Sequence, residues 1–339
     1  MSTIKTVAER AGVSLKTVSR VFSAPETVTA KTRARVLKAA DELDFVPDQR
    51  AQAMRSGRSG VVGLLTDVMA TTPCSIDIVR GVEAALEERR MSLLIGNLKN
   101  PSSSSNSILR SFRAGRVDGV IYAANYHREV EDFEPLHLPS VMANCFTRDA
   151  AMPAVIPDEE RGGHNVGVHL LQLGHRQIAY LTLAPGIEAT RLRQEGLARA
   201  MREAGVVPSE PFAVAGQQLA GAFAPDEAFA AARALLERSD RPTAVFCGND
   251  ELAMQVYMAA GSLGLSIPGD LSVVGFDDHR MISEALRPAL TTVALPYAAI
   301  GRLAVEALLD RQGQPSEVLR VDAPLVVRQS TAPPVVQPR

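Results

Sequence analysis

Apolar residues recur at helical spacing twice within the first twenty-two positions. Ile4, Val7, Ala8 and Ala11 share one face of a first helix, which Thr3 caps and Gly12 closes. Ser14 caps a second helix, with Thr17 three residues on and Leu15, Val18, Val21 and Phe22 at the same spacing. Val13 between them points inward. A third amphipathic stretch runs from about Ala30 to Leu43, with Val36, Leu37, Ala40 and Leu43 as its apolar stripe, and Phe45-Val46-Pro47 ends it. This pattern predicts a three-helix helix–turn–helix head, the kind that lays its second helix in a DNA major groove. A generic helical hairpin would give part of the same pattern.

Beyond residue 60 the pattern changes. Short apolar runs at 61–65, 92–96, 118–124, 139–145, 178–183, 212–216, 243–248 and 272–276 read as strands. Between them, residues 76–89, 163–175, 191–204, 225–238 and 249–260 read as helices, and the polar run 101–107 leads into another. Repeated strand–helix units predict an α/β core of parallel sheets flanked by helices. About eleven strands are too many for one compact sheet, so two sheets are expected, with a ligand cleft between two lobes.

Charge sharpens the division. Residues 1–60 hold 11 Lys and Arg against 6 Asp and Glu; the rest of the 339-residue chain holds 25 against 32. A basic head on an acidic body fits a nucleic-acid module joined to something else. Cys74, Cys145 and Cys247 are scattered without CxxC spacing, so neither a disulfide framework nor a zinc site is expected. No run approaches the roughly 18 apolar residues of a membrane span, and the start lacks the long apolar core of a signal peptide. A cytoplasmic protein is expected.

The run TIKTVAERAGVSLKTVSRVFSAPETVTAKTRARVLKAADELDFVP, and within it AGVSLKTVSRV, resembles the N-terminus of the LacI/GalR (lactose/galactose-repressor) family of bacterial transcription regulators. Body strings match the same family to about residue 330: LLQLGHRQIAYL, TRLRQEGL, PTAVFCGNDELAM, IPGDLSVVGFDDHR and RPALTTVALPYAAIGRLAVEALL. The resemblance implies a helix–turn–helix head over 1–47, a hinge helix or linker over 48–60, and a core over 61–339 like that of periplasmic sugar-binding proteins. That core would have a first lobe of about 61–158 and 291–321, a second of about 159–290 and 322–330, and a tail from 331. The chain would cross between lobes near 158, 290 and 322.

The family pattern places base-reading side chains at Leu15, Lys16 and Arg20. The chemistry agrees, since Lys and Arg donate to guanine O6 and N7 and Leu touches a thymine methyl. Thr3, Ser14, Thr17, Ser19 and Thr32 are the phosphate-positioning candidates, and Arg33, Arg35 and Lys38 add charge. In the hinge, Ala51 and Met54 would enter the minor groove, Met54 as an apolar wedge where the family usually has leucine. Gln52 stands where the family usually has arginine, which removes a cation.

Ligands of open α/β sheets sit at the carboxyl ends of strands, where Asn144, Asn249 and Asp277 fall and Arg193 opens nearby. These supply paired donors and acceptors for a hydroxyl-rich molecule. The family's ligand positions fall on Arg193, Asn249 and Asp277, with Tyr297 and Gln218 where a packing aromatic is common and Cys74 and Ser75 where many members have a phenylalanine pair. Aromatic content is 4% and Trp is absent, so the pocket should rely more on hydrogen bonds than on stacking. Arg191 offers a second cation for an acidic ligand, or a solvated surface charge; Asn249 also reads as a helix N-cap.

The resemblance therefore implies a repressor that binds a pseudo-palindromic operator as a homodimer, controlled by a sugar-like effector between the lobes, with no cofactor. The helix at 76–90 is a candidate for the dimer face. Catalysis is not expected: the six histidines are dispersed, HExxH and GxSxG are missing, and GGHNVG lacks phosphate-loop spacing. His164, His169 and His175 read as surface or capping residues. Two alternatives stay open, a regulator without a small-molecule effector and a solute-binding protein.

Overall fold

The computed structural model describes residues 3–45, 59–67, 76–98, 106–130, 138–148, 152–182, 187–208, 212–213, 225–310 and 317–335. Contacts divide the chain into two units. One comprises residues up to Val61 together with Gly115–Asp118, and the other comprises Val62–Ala114 and Gly119–Arg339.

In the first unit, α1 (Ile4–Ala11), α2 (Leu15–Ser23) and α3 (Ala30–Glu42) form the head. Thr3 and Thr6 form a reciprocal capping box on α1, and Gly12 ends that helix at φ 60°, a left-handed conformation that glycine adopts without strain. Ser14 and Thr29 cap α2 and α3. Val7, Ala8, Ala11, Val18, Val21, Val36, Ala39 and Ala40 make a small core, with Ile4, Val13, Phe22, Leu43 and Phe45 around it. Leu37 does not join this core. It lies one position off the 36–40–43 stripe, about 100° around the helix, and is exposed while Ala39 is buried. At the end of the linker, the amides of Ser59 and Gly60 and the Ser59 hydroxyl donate to the Asp118 carboxylate at 2.6, 2.9 and 3.1 Å.

The second unit holds two six-stranded sheets. Strands are β1 (Val61–Asp67), β2 (Ser92–Leu98), β3 (Gly119–Glu129), β4 (Ser140–Phe146), β5 (Ala154–Pro157), β6 (Ile178–Thr182), β7 (Phe212–Ala213), β8 (Ala244–Cys247), β9 (Ser272–Asp277), β10 (Thr291–Ala294), β11 (Val318–Val321) and β12 (Leu325–Val326). Helices are α4 (Ile76–Glu88), α5 (Asn106–Ala114), α6 (Glu159–Gln172), α7 (Glu188–Glu203), α8 (Pro225–Leu236), α9 (Asp250–Ser262), α10 (Arg280–Ser283) and α11 (Tyr297–Asp310). The first sheet is ordered β11-β5-β4-β3-β1-β2 and the second β12-β10-β9-β8-β6-β7. Pairing is parallel from β11 to β1 and from β7 to β10, and β12 runs antiparallel to β10. Central strands such as IAYLT and AVFC are buried at every residue, as sheets covered on both faces require.

The short strands β5, β10, β11 and β12 carry too few apolar residues to stand out by periodicity, yet they fix where the chain crosses between sheets. The chain leaves the first sheet at Asp158, returns at 295–296 and crosses back at 322–324. The middle crossing therefore falls later than the expected 290. Thr291–Ala294 pairs with β9, so this segment belongs to the second lobe.

Two helix pairs meet at glycines. A Cβ on Gly163 would collide with the Arg193 carbonyl, and one on Gly196 with the Glu160 carbonyl, so α6 and α7 approach backbone to backbone. In the first lobe, Ile78, Gly81 and Val82 of α4 are buried, with Gly81 against α11 of the same chain. Arg80, Glu83 and Glu87 remain outward, so the exposed face of this candidate dimer helix is charged. No helix among the described residues is long and apolar enough to cross a membrane.

Candidate functional site

On the head, Leu15, Lys16 and Arg20 are all exposed, Leu15 at 50%. An exposed leucine beside two cations at helical i, i+4 spacing is a poor surface for water and a good one for base edges. Neither Lys16 nor Arg20 forms an ion pair among the described residues. Four of the phosphate candidates sit at helix N-termini: Thr3, Ser14 and Thr17, and Thr32, whose amide donates to Thr29 at 3.4 Å. Those first turns present backbone N–H groups as well as hydroxyls, the arrangement that receives a phosphate. Ser19 is partly buried on α2, and its carbonyl accepts the Ser23 hydroxyl. Ala51 and Met54 lie outside the described residues.

In the core, the carboxyl ends of the strands gather polar side chains from both sheets. On the first sheet, β3 and β4 lose register between Ala123 and Arg128, so four residues of β3 face the single residue Asn144. Asn144 adopts φ 57° and stitches this bulge, donating from Nδ2 to the carbonyls of Ala124 and Asn125 at 3.0 and 3.3 Å. Its Oδ1 is buried without a partner. The bulge also brings in His127, 2% exposed, with neither ring nitrogen hydrogen-bonded. Burial pushes the His127 pKa down, so the ring is neutral. Asp67 at the end of β1 accepts from the Asn125 amide and from Arg128 Nη2, both at 2.8 Å; burial pushes its carboxyl up. The hydroxyl of neighbouring Thr66 is buried and unbonded.

On the second sheet the centre is Arg193. It donates Nε to Glu159 Oε2 at 2.7 Å and Nη2 to Oε1 at 3.1 Å, and Nη1 donates to the Gly248 carbonyl. Its guanidinium lies 3.7 Å from the centroid of the Phe276 ring. Glu159, the first residue of α6, also faces His127 at 3.9 Å. Asp277 ends β9 at φ 116°, a conformation costly for any residue but glycine and often found at binding sites. Its carboxyl is pushed well up by burial, although Arg193 nearby opposes this. Behind it, Asp250 accepts from the Thr292 hydroxyl at 2.6 Å and the His279 amide at 2.7 Å.

The structure thus places Asn144 and Asp277 toward the carboxyl ends of β4 and β9 and brings Arg193 of α7 to the Gly248 carbonyl that follows β8. Asn249 performs the capping role: its Oδ1 accepts from the Leu252 amide at 2.8 Å at the start of α9. Tyr297 is buried in the apolar core at the start of α11. Arg191 is exposed, held by Glu188 at 2.5 Å and Glu195 at 2.6 Å on the outside of α7, so it is a surface charge. Cys74, Ser75 and Gln218 lie outside the described residues. His175 corrects the surface assignment. It is 1% exposed, and its ring bonds Thr243 Oγ1, Ser272 Oγ and the Ala332 carbonyl at the opposite ends of the strands.

Sequence reading missed Asp67, His127, Glu159 and Asp250. Asp250 was visible in the Asn-Asp pair; Glu159 and His127 had no local signal, because a lobe crossing and a strand bulge turn them inward. Among the described residues no group of His, Cys, Asp and Glu could hold a metal ion.

Residues 3–48 match the model of bacterial regulatory proteins of the lacI family, and residues 168–331 match the periplasmic binding protein-like domain. The chain is 34% identical to the sucrose operon repressor of Escherichia coli, over 98% of this chain and 100% of that protein. It is 32% identical to the HTH-type transcriptional repressor PurR of Edwardsiella ictaluri (strain 93-146), over 98% and 97%. The crystal structure of the Lac repressor dimer bound to operator and the anti-inducer ONPF superposes with a TM-score of 0.77 at 27% identity, covering 98% of this chain and 99% of that one.

Asp250 gives a pH test. Burial raises its carboxyl from 3.8 to about 7 in the folded protein. The native state then holds a proton that the unfolded chain has released, so this contribution is present below about pH 4 and is lost as pH rises through 7. Asp250→Asn should gain stability relative to the parent between pH 5 and pH 8, on the order of a few kcal/mol, measured by urea unfolding. An equal difference at both pH values would contradict the assignment.

Proposed function

The chain belongs to the lacI family of bacterial regulatory proteins and is a DNA-binding transcriptional repressor, not an enzyme; from that premise we propose how its own residues divide the work. It binds operator DNA as a homodimer, and a small molecule between its lobes sets the affinity. The dimer and its ligand-bound, operator-bound state are those named for the similar Lac repressor structure. Two-fold symmetry implies paired half-sites. The protein works in the cytoplasm, where that DNA is.

Leu15, Lys16 and Arg20 read base edges, and the capped N-termini of α1, α2 and α3 hold phosphates. Met54 is assigned the minor-groove wedge on the sequence pattern alone. In the core, Asn144, Arg193 and Asp277 orient the effector, a hydroxyl-rich small molecule such as a sugar. The observation that carries this reading is the set of buried, unbonded polar atoms at the cleft, Thr66 Oγ1, both His127 nitrogens and Asn144 Oδ1. Buried polar atoms are almost always bonded, so four orphans in one place indicate a missing hydrogen-bonding partner. A regulator without an effector would have no reason to keep them.

Arg20→Ala should weaken binding to a selected operator by about 1–3 kcal/mol and leave affinity for random DNA much less changed, by fluorescence anisotropy at fixed salt. Equal losses on both DNAs would show that Arg20 touches only the backbone. Asp277→Asn keeps the side-chain size and one acceptor oxygen and removes the acid. It should weaken the effector response at least about tenfold while operator binding without effector persists; an intact response would remove Asp277 from the pocket.

A further inference from the structure

Arg193 and Arg128, the two arginines hydrogen-bonded into these strand ends, are each matched by a carboxylate, while Arg320 at the end of β11 is exposed. Arg193 grips Glu159 with two hydrogen bonds, 3% and 1% exposed respectively, and its remaining reach ends on the Gly248 carbonyl and the Phe276 face. Arg128 holds Asp67 at 2.8 Å. Arg191 turns outward between Glu188 and Glu195. His127 is buried without a hydrogen bond. Among the described residues, what is left over is acidic rather than cationic. Asp277 remains partly accessible and has no ion pair among the described residues. Asp250 behind it receives only neutral donors, the Thr292 hydroxyl and the His279 amide.

Resting on the reading of this cleft as the effector site, we propose that it selects its ligand by charge. It accepts an uncharged polyol and rejects phosphorylated or carboxylated ligands, because Glu159 neutralises Arg193. The buried orphans supply the complementary chemistry. Asn144 Oδ1 accepts a hydroxyl hydrogen, while Thr66 Oγ1 and neutral His127 each donate or accept. None of them offers the formal positive charge that phosphate recognition uses. A phosphate entering here would lose its hydration and find no unpaired buried cation among the described residues to replace it. Glu159 is thus a specificity-determining residue that acts through Arg193.

The test uses the full chain and matched probes in isothermal titration and thermal unfolding: glucose, glucosamine, gluconate and glucose 6-phosphate; ribose and ribose 5-phosphate; sucrose and sucrose 6-phosphate. Within whichever scaffold binds, the neutral member should bind at least about tenfold tighter than its phosphate ester or acid. Glu159→Gln keeps the size and an acceptor for Arg193 but removes the charge, and it should narrow that gap by raising the affinity of the anionic member. Equal or tighter binding of the anionic member by the unmodified protein overturns the proposal, whether or not the variant folds. An unchanged gap in a folded Glu159→Gln protein overturns the role of Glu159. No binding by any scaffold overturns the effector reading itself, a result distinct from loss of charge selectivity.

Discussion

The core is organised around one buried ion pair. Arg193 and Glu159 are almost completely withdrawn from water, and removing a charge from water costs several kcal/mol unless a partner and hydrogen bonds offset it. Here the offset is complete on the arginine side: two bonds to Glu159, one to the Gly248 carbonyl and an aromatic face. Glu159 opens α6 directly after Asp158, where the chain first leaves the first sheet, and Arg193 belongs to the helix that packs on α6 through Gly163 and Gly196. Gly248 leads into α9, whose second-sheet neighbours include Asp277. Fixing the pair therefore fixes α6, α7 and the β8 end together. Breaking it by removing one partner would leave an uncompensated buried charge, the costly case.

That rigidity gives the cleft a defined chemistry. The second sheet contributes a preset guanidinium and a carboxylate held at a strained backbone angle; the first contributes a bulge where the His127 ring nitrogens and Asn144 Oδ1 are buried without a hydrogen bond. The lobes share apolar core residues, from Val62 and Ile121 to Phe246 and Phe276, so a ligand that satisfies both sets of polar groups also favours one arrangement of that shared core. A ligand can bias the arrangement only by its differential affinity for the two states. Couplings of about 1–3 kcal/mol, a 5–150-fold change in operator affinity, need no more than one or two such hydrogen bonds.

The helix–turn–helix head was fully legible from its caps and apolar spacing, because a small three-helix core leaves few alternatives for Thr3, Gly12 and Ser14. The single slip, Leu37, came from reading apolarity where position on the helix decides burial. The alternation of strands and helices was equally plain. The short strand 291–294 was expected in the first lobe but pairs with β9 in the second sheet, since four residues carry no sign of which neighbour they will pair with. At the site, Arg193 and Asp277 were visible through family resemblance and position. Asn249 showed both of its possible roles, and the structure uses it as a cap. His127 and Glu159 were hidden for one physical reason: each gains its role from a tertiary approach, a strand bulge and a lobe crossing, that no local pattern encodes.

The central claim is that occupancy of the cleft and affinity for DNA are linked in one chain. The most direct measurement is operator affinity of the unmodified protein, by fluorescence anisotropy at constant salt, with and without a saturating sugar that stabilises it against heat. The account predicts a shift within the 5–150-fold range, matched by an equal shift in sugar affinity when operator is present. An operator affinity indifferent to a sugar that demonstrably binds would contradict it.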